Sequence, residues 1–319
     1  MKTLVLSMIS IAATVAAMTA CTSESDPIND IQDPKDAKTE IKLSAGVINV
    51  ETKAQINPDP ITGTSFTKTV KLLRNDVPAK ETAREWNTAD PKDTPIAGTA
   101  VTLDNVHKFY TGDNYTYFIG YYPAGTYTNG VVTYTGLDGT SDIICTDETE
   151  VGSKATPAVN PSLNFKHMLS QIQINIQGDK AAQTAFGSIT KIELVDIPTS
   201  LDVTLGTIAS ITQKGADKTN IIVFEGSQEL KPDAQSAGVI PMIFNGGNTA
   251  LGTSSAPLTI KVTYGASKTA DVIVNSMSTG LEQGKKHIIT LNFKEKIDVE
   301  AALTDWDASS GEAGSGSVE

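Results

Sequence analysis

Apolar residues along this chain recur mostly at every second position, the period of a β-strand, and heptads of the helical kind are absent. The most informative stretch is residues 163–176, LNFKHMLSQIQINI. Leu163, Phe165, His167 and Leu169 alternate with polar residues, and then Ile172, Ile174 and Ile176 alternate on the opposite parity. A strand whose inward face changes must bulge or cross between two cores, so this segment is read as the hinge between an N-terminal and a C-terminal lobe.

Before the hinge, residues 41–50 (IKLSAGVINV) form the first expected strand, broken by Glu51-Thr52-Lys53-Ala54, and residues 67–74 form the second. Residues 81–86 could make one helical turn. The stretch 115–123, YTYFIGYYP, is apolar on both faces and should be covered on both sides. Asn129-Gly130 and Asp138-Gly139 each lie between apolar pairs, which is hairpin chemistry. After the hinge a short helix is expected within 178–186. Strands follow at 189–197, 201–205, 221–224, 237–244, 258–264, 270–274 and 287–293, with Gly, Asn, Asp and Ser at the junctions. That spacing predicts an all-β chain built of antiparallel β-sandwich lobes. The divisions expected are 1–20 leader, 21–40 tether, 41–162 first lobe, 163–296 second lobe and 297–319 C-terminal segment.

The first forty residues change the picture from fold to compartment. Lys2 supplies a basic start, residues 4–18 an apolar stretch too short to span a bilayer in the mature chain, and Thr19-Ala20-Cys21 small residues before a cysteine. This is the form of a lipoprotein signal, with Cys21 the acylated residue that would tether the chain to a membrane. Residues 22–40 are polar and Pro-bearing, the composition of a flexible tether, and open on the acidic Ser23-Glu24-Ser25-Asp26. With Cys21 lipidated, Cys145 is the one thiol left and no disulfide within the subunit can form. The net charge is −12, with no basic patch interleaved with aromatics, which argues against nucleic acid as a partner.

Candidate chemistry is sparse. His107, His167 and His287 are far apart in sequence, and two of them sit on inward strand parity, so each reads as a packed core histidine rather than a ligand. No nucleophile elbow, phosphate loop or zinc motif is present, so neither an enzyme nor a cofactor is expected. A calcium site from Asp138, Asp142 and Asp147 matches no EF-hand spacing. Seven of the eight tyrosines fall between Tyr110 and Tyr134, a cluster that reads first as core packing and second as a glycan platform.

Taken together, the lipobox at Cys21, the IKLSAGVINVETKA strand and break, YFIGYYP, LNFKHMLSQIQINI, and the ending GLEQGKKHIITLNF with KIDVEAALTDW resemble the fimbrillin family of Gram-negative anaerobes, subunits of type V pili. His287 stands where the family commonly has Tyr. The resemblance implies two transthyretin-like β-sandwich lobes in tandem and an outer-membrane lipoprotein precursor. It also implies that a trypsin-like protease removes the first strand, so that a strand from the next subunit fills the groove. The scissile site would be Lys53-Ala54, with Arg74 and Arg84 as lesser alternatives. Family members often carry Arg at the place of Lys53, so the protease would have to accept Lys. The donor would be the C-terminal segment, whose Ile297, Val299, Ala301 and Leu303 share one parity; the same pattern suits an ordinary last strand of the C-terminal lobe. Deleting 297–319 should then block polymerisation and leave the fold soluble. The partners implied are other fimbrial subunits, with a shaft subunit favoured over a tip adhesin. The alternative is a surface lipoprotein that binds a host glycan or protein through tyrosines or Trp306.

Overall fold

The computed structural model describes residues 38–47, 66–294, 297–305 and 313–317. In chain order the first half carries β1 (Ser44–Val47), β2 (Phe66–Val77), β3 (Lys92–Gly98), β4 (Ala100–Val101), β5 (Tyr115–Tyr122), β6 (Thr126–Thr128), β7 (Val131–Tyr134), β8 (Ile144–Thr146), β9 (Thr149–Gly152) and β10 (Ser162–His167). The second half carries β11 (Ser170–Gly178), α1 (Lys180–Phe186), β12 (Ile189–Pro198), β13 (Leu201–Thr204), β14 (Ser210–Gln213), β15 (Lys218–Gln228), β16 (Gln235–Ser236), β17 (Met242–Ile243), β18 (Leu258–Tyr264), β19 (Lys268–Val274), β20 (Lys285–Phe293), β21 (Ile297–Asp305) and β22 (Ala313–Ser317). Among the described residues the chain is all-β apart from α1, which Asp179 caps by accepting from the Ala182 amide, and one 3-10 turn.

The expected hinge is two strands that thread three cores. Leu163 and Phe165 of β10 enter the first core, Met168 and Leu169 the second, and Ile172, Ile174 and Ile176 of β11 the third. The parity change is therefore a change of sheet.

In the first half, the ladders run β2-β3-β4-β1-β10-β8-β5, and β5 pairs again with β2, so seven strands close into a ring with β9 attached to β5. One parity of each strand fills the interior: Ala45, Val47, Val70, Leu72, Ile96, Phe118, Ile144, Leu163 and Phe165. Space there is fully used, since a Cβ on Gly120 would meet the Phe165 ring at 2.7 Å. The opposite parity of β2, β5 and β8, with Leu73, Tyr117, Ile119, Tyr121 and Cys145, makes the second core, covered by the sheet β14-β13-β7-β6. That sheet joins the halves, because β13 pairs with β7 from Leu201↔Tyr134 to Thr204↔Val131. The third core lies between β15-β12-β18-β19 and the sheet built on β11, β20, β21 and β22.

Three local expectations are corrected. Residues 81–85 are not helical; the turn is Trp86–Thr88, because Arg84 is drawn to Glu148 and the Tyr117 ring instead of continuing a helix. Asn129-Gly130 does close the β6–β7 hairpin with φ of 51° and 79°, as a type I′ turn requires. Asp138-Gly139 does not form a hairpin: it carries the chain from β7 to β8 in another sheet, and Gly139 packs where a Cβ would meet Pro241 at 2.9 Å. The strand expected over 237–244 is instead β16 and β17, two short bridges to opposite ends of β11.

Candidate functional site

The site is built around β1, the stave that closes the ring. Its inward set Ile41, Ala45 and Val47 is buried, with Leu43 partly so, and this single parity is what an interior strand demands. Burying a Val or Ile side chain contributes about 1.5–3 kcal/mol, so the segment is held mainly by two large side chains. Its ladder is short. β1 runs parallel to β10 through Ser44↔Ser162, Ala45↔Leu163, Gly46↔Asn164 and Val47↔Phe165. On its other side it meets β4 only at Ser44↔Ala100, with the Ala45 amide donating to the Thr99 carbonyl at 3.0 Å.

The lead-in to β1 is held by the loop 104–111. The Ile41 amide donates to the Lys108 carbonyl at 2.8 Å, and the Tyr110 amide donates to the Thr39 carbonyl at 3.1 Å. The Lys108 ammonium pairs with Glu40 at 2.8 Å. That loop is in turn fixed by Arg74. Its Nη1 donates to the carbonyls of Val106 (3.1 Å) and His107 (3.0 Å), its Nη2 to the Thr111 hydroxyl (3.0 Å), and its Nε to Asp76 (3.0 Å). Asp104 adds a second anchor, accepting from the His107 amide at 2.7 Å and facing His107 Nδ1 at 2.8 Å. Burial pushes the His107 pKa down against the pull of Asp104. A cleft of about 520 Å³ lies beside this entry, lined by residues 39, 40 and 42–44, Tyr110 and the loop 157–161.

Among the cleavage candidates, Lys53 and Ala54 lie outside the described residues, as does Cys21. Arg74 sits inside β2 with its side chain 7% exposed, engaged as above. Arg84 pairs with the buried Glu148, and its guanidinium stacks 4.6 Å from the Tyr117 ring centroid. The donor candidates are in β21. Its ladder with β20 runs from Phe293↔Ile297 through Leu291↔Val299 and Ile289↔Ala301 to His287↔Leu303, and β22 pairs on its far side. Ile297, Val299 and Ala301 are buried in the third core of their own chain. Trp306 lies outside the described residues.

The remaining chemistry resolves into packing. Tyr117, Tyr121 and Tyr134 are buried, and the hydroxyls of Tyr110, Tyr117 and Tyr134 donate to the carbonyls of Val151 (2.7 Å), Lys80 (3.2 Å) and Pro123 (2.9 Å). Burial pushes the Tyr121 pKa up to about 12 and raises that of the Cys145 thiol. His107, His167 and His287 are all buried, His167 with its Nδ1 3.0 Å from the Asp142 carboxylate. Asp138 turns onto Thr140, and Asp147 pairs with Lys166 and accepts from the Ala209 amide, so these aspartates serve separate contacts. Among the described residues no group of three His, Cys, Asp or Glu side chains could hold a metal. The Arg74 clamp on the loop 104–111 was missed by sequence reasoning; an Arg followed by an Asp two residues later on one strand face is its only local signal.

The fimbrillin-like family model matches residues 62–306 of the chain. The chain belongs to the fimbrillin-like family. Solved structures with the same fold include a candidate cell adhesion protein from Bacteroides uniformis (TM-score 0.57, 14% identity, covering 86% of this chain and 99% of that one). A fimbrial protein from Bacteroides vulgatus is similar at TM-score 0.57 and 12% identity, over 83% of this chain and 99% of that one. No curated protein matches the sequence. These likenesses speak to fold; within it, β1 is a short strand held by four register pairs with β10 and one with β4.

Proposed function

We propose that this fimbrillin-like chain is a structural, non-enzymatic subunit of a cell-surface fimbria. It is exported as an outer-membrane lipoprotein through Cys21, cut after Lys53, and polymerised by strand exchange in support of adhesion. The observation that carries this reading is the insertion of a four-residue β1 into a closed ring, with a basic residue downstream of it and before β2. Cutting at Lys53-Ala54 frees β1 from the covalent chain and leaves β10 and β4 as the walls of an unfilled slot. Arg74 and Arg84 rank below Lys53 because a protease needs an extended, accessible backbone, and both side chains are tied into packed contacts.

Tandem transthyretin-like lobes, divided near residue 163, belong to the same reading, with residues 201–213 lent to the first lobe's covering sheet. The β21 segment is the donor, exchanging its place in its own third core for the slot of the next copy. A glycan platform of tyrosines is disfavoured because the rings are packed and hydrogen-bonded. The test is the N-terminal mass of the protein recovered from the cell surface. A start at Ala54 supports the reading. An intact acylated Cys21 overturns the processing step and points to an anchored binding lipoprotein.

A further inference from the structure

Strand exchange leaves open which way the incoming strand runs and in what register, and the side chains of β1 and β21 answer both. The inward parity of the first strand reads Ile41, Leu43, Ala45, Val47, and one parity of the last long strand reads Ile297, Val299, Ala301, Leu303. The two sets hold the same four residue types, each beginning with Ile and each with Ala third. Ala45 stands opposite Leu163 and is 2% exposed, in the core it shares with Val70, Leu72 and Phe165.

We infer that the occupant of the vacated slot is residues 297–303 of a second copy, running in the direction β1 ran, with Ala301 in the place of Ala45. This rests on the strand-exchange reading above. In that register Ile297 replaces Ile41, Val299 replaces Leu43 and Leu303 replaces Val47, so the total apolar volume is conserved and only two branched side chains trade places. The opposite direction fits worse. Centred on the same slot, it sets Val299 at the Ala45 position and Ala301 at the Leu43 position, overfilling one layer and emptying another. A slip of two residues in the original direction likewise moves a branched side chain into the alanine layer. The small residue fixes the register, because the other three positions tolerate exchange among Ile, Leu and Val; direction is fixed by Asp305, which a strand reversed about Ala301 would place at the buried Ile41 position.

The outward parity gives the test. Gly46 faces Asn164 on β10, so Ala302 of the incoming strand faces Asn164 if the register holds. Neighbouring Cα atoms in a sheet lie within the span a disulfide bridges, whereas a two-residue slip exceeds it. The full-length chain carrying Asn164→Cys and Ala302→Cys is expressed with its own leader, and surface-assembled material is run without reductant. Cys145 is fully buried and does not compete. The expected result is a ladder of covalent oligomers that collapses on reduction. Asn164→Cys with Asp298→Cys reports the opposite direction, and Asn164→Cys with Glu300→Cys reports a slip. A ladder from either of these, without one from the first pair, overturns the inference while leaving strand exchange standing. Assembled polymers with no ladder from any pair show that β21 is not the occupant. If no variant and no unsubstituted chain assembles at all, the strand-exchange reading itself fails, and the register with it.

Discussion

β1 and β11 occupy equivalent places in the two halves of the molecule. Each opens its half, and each runs parallel to a late strand, β1 beside β10 and β11 beside β20. They differ in how they are held. β11 makes eight register pairs with β20, from Gln171↔Lys286 to Gly178↔Phe293, and its Ile172, Ile174 and Ile176 are fully buried. β1 makes four pairs with β10, one with β4, and puts an alanine where β11 has isoleucine. The same architectural position is thus filled once by a strand with a long ladder and once by one with a short ladder. Retention of β1 falls partly to the Arg74-fixed loop 104–111, which has no counterpart among the ladders of β11.

Predictions that break or sharpen this contrast run from large to small. Phe165→Ala empties the ring beside Val47 and should cost about 3–5 kcal/mol by urea denaturation. Amide exchange at Ala45 should rise far more than at Ile174. Equal increases at both would mean that the two halves are not separable in this way. On the second half the lever is pH. Burial lowers the His287 pKa to about 4, from an unfolded value near 6.5. Between those values the unfolded chain binds the proton and the folded chain does not, so stability is lost as pH falls from about 6.5 to about 4, by roughly 3 kcal/mol. The neutral ring accepts the Glu282 amide at 2.9 Å through Nε2. His287→Phe should flatten that dependence in denaturation at pH 7 and pH 4.5; an unchanged slope would locate the acid sensitivity elsewhere.

Arg74→Gln removes charge-assisted bonds to two carbonyls and should cost about 2 kcal/mol. Its signature is local: faster hydrogen exchange at the Ile41 and Tyr110 amides, which bridge the lead-in to the loop, with β12 and β18 unaffected. Uniform acceleration would mean that Arg74 supports the whole ring rather than the entry of β1. Val47→Ala is the mildest, about 1.5 kcal/mol, and should speed exchange at Ala45 without touching β11.

Much of this was legible in the sequence where period and burial agree. The parity change near Ser170 and Gln171 is a true change of core, because a period of two leaves no other way to bury both Phe165 and Ile172. The two-sided apolar stretch 115–123 is β5, packed inside the ring on one face and under β6–β7 on the other. What escaped was non-local. Nothing in SITQ announces that β14 will join a sheet with β6 and β7, since a strand with one buried residue carries almost no pattern. Asp138-Gly139 has the composition of a hairpin, yet the partner strands lie elsewhere, and turn chemistry alone does not choose partners. The closure of β5 on β2 was likewise invisible, whereas the burial of β21 in its own third core is the ordinary last strand that its parity also allowed. That burial changes one expectation: deleting 297–319 takes Ile297, Val299 and Ala301 from the third core, so loss of assembly in that variant would not by itself identify the donor.

The most direct measurement is to cut the chain between β1 and β2 in vitro. Residues 51–56 are replaced by a site for a specific protease, and the purified chain is followed by mass spectrometry and light scattering after cleavage. The account predicts that the fragment bearing β1 dissociates and that the remainder grows into polymers. A cut chain that keeps its β1 fragment and stays monomeric would contradict the claim that β1 is a replaceable stave.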